Sequence, residues 1–193
     1  KGDTMGSFIL DRYVNSDLSL GIHFKAYHPH VTPPVLRPSV TEKDRLDLDL
    51  VTVYLPQYPL NSLISVFTAL EGMMIDIFHP EVAERVQFGN ISLHPVQISA
   101  FDESLRFCRL CICSAGFETP AEALYMGKRL IVLPIKSHYE QQSNARALEL
   151  MGVRIVKDLT MLDRDVVLQE LESRLNREAV EYRTPEQHVL HAY

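Results

Sequence analysis

Between residues 50 and 175, short apolar runs alternate with stretches of helical periodicity, and this alternation constrains the fold more than any other feature. Leu50 to Leu55 is apolar and rich in β-branched residues, and Pro56 ends it. From Leu60 to Leu70, the side chains of Leu63, Ile64, Phe67 and Leu70 share one helical face. Met74 to Phe78 and Val86 to Leu93 each read as a short strand, and residues 99 to 107 as a helix. Leu110 to Cys113 is the next strand, followed by a turn of small residues (Ser114, Ala115, Gly116) that opens a helix stopped by Gly127. Leu130 to Leu133 is a strand ending at Pro134, and Gln141 to Met151 is a helix closed by Gly152 as its C′ residue. Val153 to Val156 is the last strand, and Asp163 caps a final helix carrying Val167, Leu171 and Leu175. Strand and helix in regular succession predict an α/β domain, a Rossmann-like open parallel sheet with helices on both faces. Ligands of such sheets sit beyond the C-terminal ends of the strands, where residues 114 to 119 and 134 to 141 fall.

A chain of 193 residues holds one domain of this kind with length to spare. Residues 1 to 41, with prolines at 29, 33, 34 and 38, read as an irregular arm or linker from a preceding region. Residues 42 to 178 form the domain and 179 to 193 a tail. The net charge of −6 argues against nucleic acid as a partner, because such binding requires a basic face. No apolar run approaches the length that spans a bilayer, and the first residues carry no secretory signal pattern. Three closely spaced cysteines, Cys108, Cys111 and Cys113, make a disulfide framework unlikely on number alone and point to a reducing, cytoplasmic compartment.

The chemistry concentrates between residues 111 and 145. Gly116 permits close backbone approach at a helix start, where unpaired N–H groups and the helix dipole favour an anion. Ser114 adds a hydroxyl. Thr119, Pro120 and Glu122 have the pattern of an N-cap, an N1 proline and a capping-box glutamate, so Glu122 reads either as a cap or as an acceptor for two vicinal hydroxyls such as those of a ribose. Ser137 and Glu140 repeat the pattern, with the same two readings. Gln141 beside Glu140 supplies donors and acceptors at the spacing of sugar hydroxyls. Asn144 reads as a residue that ties down local backbone.

G-x5-E from Gly116 to Glu122, then a strand ending in proline, then E-Q-x-x-N-A from Glu140 to Ala145, resembles the C-terminal, nucleotide-sugar-binding domain of GT-B glycosyltransferases. The nearest branch holds the MurG-type N-acetylglucosaminyltransferases and the UDP-glucuronosyltransferases. The resemblance covers residues 110 to 152 by motif and 50 to 109 by element order. It implies diphosphate binding by Ser114, Ala115, Gly116, Phe117 and Thr119, and ribose binding by Glu122. It further implies sugar binding by Glu140 and Gln141, and a base clamp at His94, Pro95, Val96 and Ile98. The first loop departs from the Gly-rich form of MurG-like members, reading Leu55-Pro56-Gln57-Tyr58-Pro59. The turn also departs, with Ala115 beside Gly116 where many relatives carry a histidine or second glycine.

In that family the acceptor site and catalytic base belong to an N-terminal domain, and residues 1 to 41 are too short to form one. The chain is therefore expected to be a donor half, acting with an acceptor domain in cis or in trans. Its substrate would be a nucleoside-diphosphate sugar, a UDP-sugar by the resemblance, with no cofactor and no metal. Several acceptors of the family are lipid-linked, which would place the protein at the inner face of a membrane. Two other functions are compatible with the same motifs: a non-catalytic nucleotide-sugar-binding or partner-docking module, and a nucleotide-sugar epimerase of the same architecture.

Three patterns imitate metal sites. Cys111 and Cys113 lie in a strand whose side chains alternate between faces, which disfavours convergence of the three cysteines on one ion. His23, His28 and His30 lie in the arm without a paired acidic ligand. Asp47-Leu48-Asp49 precedes the first strand in a charged, alternating run that reads as solvated. The charges of residues 163 to 178 read as a solvent-facing helix surface.

Overall fold

The computed structural model describes residues 21–24, 31–41, 44 and 46–173. Residues 1–20, His28, His30, Leu175 and the tail from 179 to 193 lie outside the described residues. Two short strands, β1 (Gly21–Ile22) and β2 (Val31–Thr32), pair in parallel, and α1 (Pro38–Thr41) follows. The main run is β3 (Leu50–Tyr54), α2 (Leu60–Thr68), β4 (Met74–Phe78), β5 (Val86–Phe88), β6 (Ile91–His94), α3 (Ile98–Phe107), β7 (Leu110–Ser114), α4 (Glu118–Tyr125), β8 (Arg129–Leu133), α5 (Tyr139–Leu150), β9 (Arg154–Ile155) and α6 (Arg164–Glu172).

Seven of these strands form one sheet in the order β5-β6-β4-β3-β7-β8-β9, parallel throughout except for β5. The chain moves outward from β3 through β4 to β6, then returns to lay β7 on the other side of β3. The succession therefore reverses between β3 and β7, which makes their C-terminal ends the switch point of the sheet. Alternation along the strands separates two cores. Val51, Val53, Ile75, Ile77, Ile112 and Ile131 pack under Phe67 of α2 and Val167 of α6. Cys111, Cys113, Leu130 and Val132 pack under Leu105 of α3, Leu124 of α4 and Leu148 of α5. Both faces are apolar because helices cover both, as a parallel sheet requires. Among the described residues no helix is long and apolar enough to cross a membrane.

Three readings of the sequence need correction. The run from Val86 to Leu93 is a hairpin, not one strand: Gly89 adopts φ 59 and pairing resumes at Phe88↔Ile91. A positive φ on the first central residue of a two-residue loop is where a type II′ turn takes glycine. Asn90 then fixes the bend by donating to the carbonyls of Leu70 and Met73. The described part of the arm is not irregular either. Phe24, Leu36 and Val40 are buried in the second core, and burial of such side chains contributes about 2 kcal/mol each, enough to hold the segment on the domain. Finally, Cys111 and Cys113 are two apart and so share a face, where both are buried in the second core.

Candidate functional site

The turn from Ser114 to Phe117 leaves β7 at the switch point and enters α4. The helix starts one residue after Phe117, which adopts helical dihedrals, and no side chain caps it. The expected box of Thr119, Pro120 and Glu122 is therefore not formed, since Thr119 already lies inside the first turn. Pro120 still costs no hydrogen bond there. The early N–H groups of α4 are left for a partner other than a side chain. Nothing stands within 4 Å of where a Cβ on Gly116 would point, so the space beside the turn is open. Among the described residues the hydroxyls of Ser114 and Thr119 make no hydrogen bond. Ala115 is buried, and its carbonyl accepts from Asn144 Nδ2 at 3.1 Å. Asn144 thus ties α5 to the turn, as its backbone-anchoring reading anticipated.

The second station lies next door, because Ser114 and Leu133 are register partners on β7 and β8. Helix α5 begins at Tyr139 without a side-chain cap, so Ser137 and Glu140 form no capping box. Glu140 is exposed and has no protein partner among the described residues. Gln141 accepts from the Ile135 N–H at 3.0 Å, which orients its carboxamide and leaves the Nε2 hydrogens unused. Across the switch point, Gln57 donates to Leu133 O at 3.2 Å. His79 Nδ1 accepts from the Glu81 N–H at 3.2 Å, so its Nε2–H donates to Tyr58 O at 3.0 Å. This buried, tautomer-fixed imidazole locks the loop from Leu55 to Pro59.

On the other side, His94 ends β6 with Nε2 3.1 Å from Asp76 Oδ1 and its ring stacked on Phe78 at 4.7 Å. Phe78 packs edge-on to Phe101, which packs on Tyr54. A row of rings therefore runs beneath the strand ends from β6 to β3. Pro95 is half-buried, whereas Val96 is 48% and Ile98 is 72% exposed. His94 and Pro95 also border a cleft of about 580 Å³ beside α3. Three strand spacings, about 14 Å, separate β6 from β7.

Glu122 is 3% exposed and projects from α4 into a bidentate pair with Arg37: Nε to Oε1 and Nη2 to Oε2, both 2.7 Å. Arg37 Nη2 also lies 2.9 Å from Asp102 Oδ1, and Nη1 lies 3.4 Å from Oδ2. Ser39 donates to Asp102 Oδ2 at 2.8 Å. The Glu122 carboxylate holds the Arg37 pKa above its ordinary value, with burial opposing and Asp102 adding to the rise. Phe24 from the same segment packs on Phe117 with ring centroids 4.8 Å apart. Reading the sequence missed Arg37, Asp102, His79 and Gln57. For Arg37, the available signal was a lone cation among Pro33, Pro34, Leu36 and Pro38, a setting that suggests anchorage more than linkage.

The remaining patterns are structural. Asp47 accepts from Lys128 at 2.8 Å and Asp49 from Arg109 at 3.0 Å. Among the described residues no group of three histidine, cysteine or acidic side chains could hold a metal ion.

The fold agrees with comparisons to known proteins. No curated protein matches the chain by sequence. Among solved structures, the glycosyltransferase SnogD from Streptomyces nogalater is similar with TM-score 0.57 and 17% identity, over 81% of this chain and 43% of its own. The spinosyn rhamnosyltransferase SpnG complexed with thymidine diphosphate gives 0.57 and 19%, over 77% and 45%. The glycotransferase of kitacinnamycin gives 0.56 and 17%, over 74% and 41%. These likenesses establish the fold, and the chain spans less than half the length of each of them. The profile of Glycosyl transferase family 1 matches residues 18–175, most of the chain. The chain belongs to glycosyl transferase family 1.

Proposed function

We propose that this chain is the donor half of a GT-B glycosyltransferase and that it binds a nucleoside-diphosphate sugar, a UDP-sugar, beyond β7 and β8. One observation carries the reading: the N-terminus of α4 at the switch point has no side-chain cap and has open space beside Gly116. A diphosphate there would accept from the N–H groups of Gly116, Phe117 and Thr119 and from the hydroxyl of Ser114, with Ala115 as the fixed base of the turn. Glu140 and the free carboxamide hydrogens of Gln141 suit sugar hydroxyls. Glu122 suits the ribose diol once the Arg37 guanidinium leaves its oxygens. The exposed Val96 and Ile98, with His94 and Pro95, suit the base.

Transfer joins the acceptor oxygen to the sugar's anomeric carbon as the bond from that carbon to the diphosphate breaks. The acceptor proton goes to a base, and the electron pair leaves with the nucleoside diphosphate. Amide hydrogens and the dipole of α4 stabilise that departing charge, and the reading needs no metal or cofactor for it. The base and the acceptor site belong to an N-terminal domain, in cis or in trans. The protein acts in the cytoplasm, against a membrane surface where its acceptor is lipid-linked.

Calorimetric titration with UDP, GDP, TDP and their sugars tests this. UDP and its sugars are expected to bind, and Glu140→Ala should weaken the sugar-bearing ligands while leaving UDP alone. Absence of binding by all of them would refute the reading.

A further inference from the structure

The arm contributes a cation to the very carboxylate that the donor reading assigns to ribose. Both Glu122 oxygens are occupied by the Arg37 guanidinium at 2.7 Å, Glu122 is 3% exposed, and the Arg37 side chain is 38% exposed. Arg37 thus lies on the solvent side of a buried carboxylate. A ribose cannot reach Glu122 by the same route while the guanidinium stays there. A second carboxylate stands ready to receive it. Asp102 is buried, its Oδ1 makes no aligned hydrogen bond although Nη2 is 2.9 Å away, and Nη1 reaches Oδ2 only at 3.4 Å. Two buried carboxylates share one guanidinium, so the cluster holds one negative charge in excess and Asp102 is the weaker of two seats.

We propose that Arg37 is a two-seat latch on the donor site: it covers Glu122 when the site is empty and shifts to Asp102 when a ribose diol takes Glu122. This inference rests on the donor reading and adds a coupling between donor binding and the arm. Hydroxyl donors replace N–H donors on Glu122, while Asp102 Oδ1 gains the aligned partner it lacks. Ser39, already bonded to Asp102 Oδ2, keeps that carboxylate in place through the exchange. The arm, held by Phe24, Leu36 and Val40, would then sense whether the site is filled.

The two seats predict effects of opposite sign. Arg37→Gln uncovers Glu122 and is expected to tighten UDP binding about fivefold to thirtyfold, since the competent state no longer has to be selected. Asp102→Asn removes the second seat and is expected to weaken UDP by a similar factor. The dependence runs through the diol, so 2′-deoxyuridine diphosphate should respond much less to either change. Thermal unfolding of each variant identifies loss of folding, and Ser39→Ala, which loosens Asp102 without touching either charge, should weaken UDP in the same direction as Asp102→Asn. If UDP binds but Arg37→Gln and Asp102→Asn both weaken it, or neither changes it, the latch is overturned and the donor site survives. If UDP binds to none of the proteins, the donor reading falls and the latch with it.

Discussion

Lys128→Met perturbs the fold at a fully buried cation. Gly127, at φ 70, ends α4 and turns the chain so that Lys128 points inward, where it is 1% exposed. Its ammonium donates to Leu46 O at 2.8 Å, Arg106 O at 2.6 Å and Asp47 Oδ1 at 2.8 Å. One cation therefore joins the approach to β3, the end of α3 and the start of β8. Methionine keeps the stem and removes the charge. The Asp47 side chain is 63% exposed and rehydrates at little cost. The two carbonyls lose a charged donor, a bond worth about 1.5–3 kcal/mol each, although Arg106 O keeps the Leu46 N–H at 3.3 Å. Omitting the ammonium's own desolvation returns part of that, so the net loss is about 3 kcal/mol, or a fall in melting temperature of about 6–12 °C for a domain of this size. Urea unfolding monitored by circular dichroism measures it, with Asp47→Asn as the control expected within about 1 kcal/mol of the parent. A Lys128→Met protein as stable as the parent would refute the reasoning, as would an Asp47→Asn protein equally destabilised.

Gly116→Val should leave stability nearly unchanged, because its φ is not positive and its Cβ meets open space, yet abolish UDP binding measured by calorimetry; retained affinity would remove Gly116 from the site. Burial pushes the Cys108 thiol up to about 12, and Cys111 is raised well above its ordinary value, first by the neighbouring Cys113 thiol and then by burial. The native protein at pH 8 should therefore react with a thiol reagent only as fast as it unfolds, and rapid labelling of the folded chain would contradict this. Asp158 is held down to about 2 from an ordinary 3.8, chiefly by the Lys136 hydrogen bond and then by Thr160. Its contribution to stability is complete above about pH 4 and is lost as the pH falls through about 2; a carboxyl NMR titration at the ordinary midpoint would show that the pair does not form.

The sheet and its helices were legible because the central strands β3, β7 and β8 are largely apolar runs and some helix ends carry a glycine or an aspartate. Asp163 does accept from the Val166 N–H at 2.9 Å, and Gly152 adopts φ 83 after α5. The hairpin at Gly89 was overlooked although Gly89-Asn90, a two-residue turn pair, stands between the strand-like runs Val86–Phe88 and Ile91–Leu93. Capping patterns misled at Thr119 and Ser137: both have the right residues, but α4 begins two residues before, and α5 one residue after, the start those caps require. The failure leaves both helix starts without the side chains that would have closed them. Arg37 and Lys128 were illegible because each pairs with residues 65 or more positions away, as Glu122 and Asp47 do with them. Such distant polar pairs have no periodic signature; only the folded chain brings them together.

Amide chemical shifts of the labelled protein during titration with UDP report on the turn after β7 residue by residue. The N–H resonances of Gly116, Phe117 and Thr119 are expected to move first and furthest, saturating together with those around Glu122. Saturable binding that leaves these amides unmoved and shifts the cleft beside α3 instead would contradict it.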